Sequence, residues 1–87
     1  LLKPPPYPKG VKMDIKPEAY FGVNAGKVWK TLKEAGRPMS AREIAKASEL
    51  KLTDVIGALG WLGREGKIAI ITVGKGRKAK NLFTLTE

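Results

Sequence analysis

The pattern of apolar and polar positions predicts two helices in close succession between residues 39 and 68. The first is predicted to begin after Ser40, since Ser40 and Glu43 have the spacing of a capping box, in which each side chain accepts from the other residue's backbone N–H. Ile44 lies on its inward side among alanines and a serine. This inward stripe is therefore narrow, which allows another helix to approach closely.

The second helix is predicted to begin with Thr53 as its N-cap, because a hydroxyl there accepts from the first N–H groups of a helix. Gly66 is the predicted C′ residue that ends it. Its apolar positions at helical spacing form one stripe, predicted to be buried: Val55, Leu59 and Leu62, flanked by Ile56.

The opposite side of this second helix is predicted to face outward, and its composition is unusual. It carries Asp54, Gly57, Ala58, Trp61, Arg64 and Glu65. Side chains that match base edges are mostly Arg, Lys, Asn or Gln, and only Arg64 is of that kind here. Three interpretations of Trp61 stay open: packing on a neighbouring segment, contact with nucleic acid, or an apolar interaction surface shared with Gly57 and Ala58.

An earlier helix is predicted over residues 25–35, with Asn24 as its N-cap and Gly36 as the residue that ends it. Its lysines face outward, as is usual for a solvated surface. The predicted inward positions are Val28, Leu32 and Ala35, with Ala25 and Trp29 beside them.

The chain before this helix is rich in proline, which favours extended polyproline II conformations. We predict that residues 1–20 form an extended arm and residues 21–87 a single domain. Tyr20 and Phe21 are expected to hold the arm against the domain.

Residues 67–73 and 80–86 are predicted strands, joined by a turn that contains Gly74 and Gly76. This hairpin has a cationic tip. An alternative interpretation is that these charges only protect edge strands from aggregation. Three helices followed by a hairpin predict an α+β fold of the winged helix-turn-helix type.

The net charge is +9, from 17 basic and 8 acidic residues. Residues 67–80 contain no acid, and their bases are Lys67, Lys75, Arg77, Lys78 and Lys80. Such a surface indicates a polyanionic partner, although a basic surface that serves solubility or heat resistance is the alternative.

Cysteine and histidine are both absent, so the usual thiolate and imidazole metal ligands and the usual general base are missing. We predict that the protein is not an enzyme and binds no metal or cofactor. Neither a signal peptide pattern nor a membrane-length apolar run occurs. The expected location is therefore the cytoplasm, at the nucleoid if the protein binds DNA.

These features predict a protein that binds double-stranded DNA mainly through phosphates, as a transcriptional regulator or chromatin-associated protein. The predicted DNA contacts are Lys51, Thr53 and Arg64 on the second helix of the pair, and Lys75, Arg77, Lys78 and Lys80 on the hairpin. The alternative is a module for protein interaction or homodimerisation through Gly57, Ala58 and Trp61. RNA as the partner also stays open.

Two stretches, GVNAGKVWKTL and DVIGALGWLGREGKI, resemble a small family of uncharacterised prokaryotic winged helix-turn-helix proteins. The resemblance covers about residues 22–72, with NAGKVW and ALGWL followed by REGKI as its more specific parts. It implies a three-helix winged helix and implies DNA binding only through the fold. It supplies no catalytic residues.

Overall fold

A computed structural model of the protein describes residues 15–86. The elements are α1 (Pro17–Ala35), α2 (Ala41–Ser48), α3 (Leu52–Arg64), β1 (Ile68–Val73) and β2 (Lys80–Leu85), with one turn of 3-10 helix (Gly76–Lys78) between the strands. Three helices followed by an antiparallel hairpin confirm the predicted winged helix-turn-helix fold.

Helix α1 begins earlier than predicted. Pro17 occupies its first turn, where proline's fixed φ and missing N–H cost nothing. Asn24, the predicted N-cap, is instead inside the helix and only 7% exposed. Residues 17–20 of the predicted arm are thus helical, and its residues 1–14 lie outside the described residues. The predicted end is confirmed, because Gly36 is left-handed and its N–H donates to the Leu32 carbonyl at 3.1 Å.

The capping box of α2 is confirmed. The backbone N–H of Glu43 donates to Ser40 Oγ at 3.2 Å, and that of Ser40 donates to Glu43 Oε1 at 2.9 Å. The helix ends at Glu49, which adopts a left-handed φ of 62°. Because this residue makes the reversal that glycine often makes, α3 follows almost at once.

Helix α3 begins at Leu52 with Lys51 as its N-cap, so the prediction of Thr53 was wrong. Lys51 accepts from Val55 N–H through its backbone carbonyl at 3.0 Å, and no side chain caps this end. Helix α3 therefore begins before Thr53, the residue whose side chain was expected to cap it.

The joint between α3 and β1 consists of residues 65–67 and is held by several hydrogen bonds. Gly66 is left-handed with φ 72°, which confirms it as the C′ residue. Its N–H donates to Gly63 and that of Lys67 to Leu62, which is a Schellman motif. Thr86, just after β2, donates its N–H to Lys67 and its hydroxyl to Gly66. The joint is therefore held by the last turn of α3 and by the residue that follows β2.

The core lies where the three helices meet the base of the hairpin. The predicted burial of Val55, Leu59 and Leu62 is confirmed, whereas Ile56 is 56% exposed and Ala35 is exposed as well. Ala58, predicted to face outward, is completely buried. The buried apolar residues are Ala25, Val28, Leu32, Met39, Ile44, Val55, Ala58, Leu59 and Leu62.

The two strands pair in one antiparallel register, from Ile68 opposite Leu85 to Val73 opposite Lys80. The other edge of β2 exchanges both backbone hydrogen bonds between Met39 and Phe83, at 3.0 and 2.7 Å. Because this bridge ties the segment before α2 to the sheet, the hairpin is attached to the helices at two places.

Candidate nucleic-acid interface

The exposed side of α3 is rotated by about a quarter turn from the predicted one. Val55, Ala58 and Leu62 face the core, so the exposed side lies opposite them. We call this side the outer face of α3; it consists of Thr53, Ile56, Gly60, Gly63 and Arg64. The predicted outward side is wrong in part because Ala58, a small residue placed on it, is completely buried.

Trp61 packs against α1, which is the first of the three interpretations. Its ring lies nearly parallel to that of Phe21, with centroids 6.3 Å apart and planes at 18°. Tyr20 meets Phe21 edge-on at 5.6 Å. Gly57 lies under the Phe21 ring, and a Cβ there would be 2.7 Å from Phe21 Cε1. The predicted interaction surface of Gly57, Ala58 and Trp61 is thus largely covered by α1. Tyr20 and Phe21, predicted to hold an extended arm against the domain, are themselves part of α1.

The two acids of the predicted outward side are also directed away from the outer face. The Tyr20 hydroxyl donates to Asp54 Oδ1 at 2.6 Å, and this hydrogen bond raises the pKa of Tyr20. Glu65 lies 4.0 Å from Lys67 Nζ, at the limit of an ion pair. The outer face therefore carries no carboxylate.

The hairpin tip is a folded turn that exposes cations. A Cβ at Gly74 (φ 90°) would be 2.8 Å from the Lys78 carbonyl oxygen, so the turn requires glycine there. The N–H of Lys78 donates to the Lys75 carbonyl at 3.2 Å, which holds the tip in its 3-10 turn. The tip is closed on itself, and its cationic side chains point into solvent: Lys75, Arg77, Lys78 and Lys80.

The predicted contact residues lie in three places: the two ends of α3 and the hairpin tip. Lys51 and Thr53 lie at the first turn of α3 and Arg64 at its last residue, all exposed. The four predicted hairpin cations lie at or beside the tip. An open apolar groove lies between the outer face of α3 and the hairpin, and it is lined in part by Ile56, Gly60, Ile70 and Phe83.

Sequence reasoning missed this groove. Ile56, Gly60 and Gly63 share one side of a helical wheel, but that side is recognisable only once Ala58 is known to be buried. Within residues 15–86, no group of acidic side chains is arranged to hold a metal ion. None of the helices in that range is long and apolar enough to cross a bilayer.

The comparisons with known proteins agree with this geometry. The family model described as "Winged helix-turn-helix domain (DUF2582)" matches residues 13–83. The solution NMR structure of protein BT2368 from Bacteroides thetaiotaomicron, a structural genomics target, is 31% identical and superposes with a TM-score of 0.68, covering 80% of this chain and 79% of that one. No curated protein matches the sequence. The chain therefore belongs to the DUF2582 family of winged helix-turn-helix domains.

Proposed function

We propose that this domain binds double-stranded DNA, with α3 in the major groove and the hairpin tip against neighbouring phosphates. Winged helix-turn-helix domains as a class use the second helix of the pair in this way. The observation that carries the proposal is the placement of exposed cations at both ends of α3 and at the hairpin tip: Lys51, Arg64, Lys75, Arg77, Lys78 and Lys80.

The start of α3 supports the same orientation. Its first N–H groups have no side-chain cap, so they are available to a phosphate oxygen at the positive end of the helix dipole. Lys51 lies at that position and adds a full positive charge. Together with the tip, this gives phosphate contacts on both sides of the outer face of α3.

Binding of this kind is driven largely by the release of counterions from DNA, so it weakens steeply as salt rises. The direct test is a fluorescence polarisation titration with a random-sequence duplex at several salt concentrations. We expect a linear fall of log Kobs with log salt concentration. Affinity that does not change with salt concentration, or no binding at low salt, would contradict the proposal.

A matched pair of variants separates site-specific contacts from net charge. The first variant changes Lys75 and Lys78 at the tip. The second changes Lys27 and Lys30, which are exposed on α1. Helix α1 packs on the side of α3 that is opposite its outer face. Both double substitutions to Ala remove the same charge from exposed positions. We expect the tip variant to make the fall of log Kobs with log salt concentration shallower, by up to roughly 0.9 for each lost contact. The α1 variant should change that slope much less.

The biological role that fits this binding mode is a transcriptional regulator or a chromatin-associated protein. Because phosphate contacts dominate, we expect measurable affinity for unrelated sequences. Competition with several unrelated duplexes tests this expectation, since all of them should compete with similar affinities.

A further inference from the structure

The centre of the outer face of α3 is apolar, not basic. Ile56 is 56% exposed there, and Ile70 on β1, across the groove, is 61% exposed. Because these two side chains line one open groove, together they form an apolar patch of the kind that marks a contact with a partner. The surface proposed to face DNA therefore contains an apolar site that cannot bind phosphates.

Within residues 15–86, two glycines beside Ile56 have no neighbouring atom that requires glycine. A Cβ at Gly60 or Gly63 would meet nothing within 4 Å, in contrast to Gly57. Glycine in a helix interior is unfavourable compared with alanine, so internal packing and helix formation both favour another residue. A helix side without Cβ atoms lets an external surface come close to the backbone.

The charges around the groove identify the occupant. Lys51 and Arg64 lie at the two ends of the outer face, and the cationic tip extends from the same hairpin that forms the far wall. A second copy of this chain would bring an equal set of cations against them, which is unfavourable. Duplex DNA supplies anions around a major groove whose apolar group is the C5 methyl of thymine.

We propose that Ile56 contacts thymine C5 methyl groups in the major groove, and that Gly60 and Gly63 allow α3 to approach the bases closely enough for this contact. This rests on the proposed function and adds a specificity to it: the domain reads methylated pyrimidine edges. Ile56 supplies the selectivity, and the cations around it supply most of the affinity.

The test uses duplexes that differ in this methyl group alone. Alternating d(A-T) is compared with alternating d(A-U), and alternating d(G-C) with its 5-methylcytosine form. We expect the parent protein to bind each methylated duplex more tightly, by about fourfold for one methyl group removed from water. Because the pairs have opposite base composition, a general preference for A·T pairs would not produce both differences.

Two isoleucine variants connect the preference to its residue. Ile56→Ala should bind both members of each pair equally. Ile71→Ala is the matched control, because Ile71 is also an exposed isoleucine but alternates onto the other face of β1 from Ile70. It should keep the parent's ratio. Gly60→Ala should melt at a higher temperature than the parent and yet bind every duplex more weakly.

Distinct results would overturn the proposal. Equal binding of methylated and unmethylated duplexes by the parent, with a normal salt slope, would refute methyl contact and leave DNA binding intact. A preference that persists in Ile56→Ala would come from duplex shape instead. A parent that sediments as a dimer, with a monomeric Ile56→Ala, would make the groove a self-association surface. No duplex binding at all would refute both proposals.

Discussion

Leu59 is a residue whose contribution to stability follows directly from its burial. It lies in the core at 5% exposure, on the same helix as the exposed Ile56. We expect Leu59→Ala to lower the free energy of unfolding by about 2–5 kcal/mol, since it removes buried methyl groups and leaves a cavity. In so small a domain, that loss unfolds a substantial fraction of molecules.

Urea unfolding measures the difference, with Ile56→Ala as the control. Because Ile56 is largely in water, its truncation should cost far less, about 0.5 kcal/mol or below. Equal losses in the two variants would contradict the burial of Leu59 and the exposure of Ile56.

Gly57 is required by a single contact. Its missing Cβ makes room for the Phe21 ring, which is itself held between Trp61 and Tyr20. We expect Gly57→Ala to be less stable than Gly60→Ala by about 1–3 kcal/mol, because overpacking must displace that ring. Thermal unfolding of the two variants provides the comparison. Equal melting temperatures would show that Phe21 moves aside at no cost.

At the scale of elements, the capping box fixes the start of α2. Because it contains the carboxyl group of Glu43, it also makes the stability of the folded protein depend on pH. The hydrogen bond from the Ser40 backbone N–H, followed by the bond from Arg37, lowers the pKa of Glu43. A carboxyl whose pKa is lower in the folded state stabilises it above the pKa of the unfolded chain. That contribution is lost as pH falls through the lower, folded value.

We therefore expect Glu43→Gln to remove this part of the acid sensitivity. The glutamine keeps an acceptor for the Ser40 N–H and has no proton to gain. Unfolding curves of parent and variant from neutral to strongly acidic pH should converge as pH falls. Parallel curves across the whole range would show that Glu43 is not a source of the acid dependence.

The elements also show which parts of the fold were predictable from the sequence. The capping box, Gly36 and Gly66 were predictable, because each depends on hydrogen bonds between residues a few positions apart. The start of α1 and the rotation of α3 were not. They depend on Phe21 meeting Gly57 and Trp61, residues far apart in sequence.

The same distinction applies to the candidate site. Its cations were predictable, because a cluster without acids is visible in the sequence itself. The apolar centre around Ile56 was not, because its exposure follows from which side of α3 the other helices cover.

For the whole molecule, Trp61 is the residue that joins α1 to α3. It is half-buried and lies against Phe21 on the side away from the outer face. We expect Trp61→Ala to lower the free energy of unfolding by about 2 kcal/mol or more, through lost packing. The ratio of affinities for d(A-T) and d(A-U) should stay as in the parent. A folded Trp61→Ala protein of parental stability that loses this ratio would make Trp61 a reading residue.

Because the joint at residues 65–67 is held by hydrogen bonds, α3 and the hairpin keep a fixed position relative to each other. Within residues 15–86, α3 and the tip are already folded, so their joint contact with a duplex costs little conformational entropy and fits one spacing between them. B-form DNA has a major groove wide enough for a helix, whereas that of A-form RNA is narrow and deep. We therefore expect the domain to bind double-stranded RNA of the same sequence and charge much more weakly than DNA. Competition between the two duplexes at one salt concentration measures that difference, and equal competition would show that the joint bends.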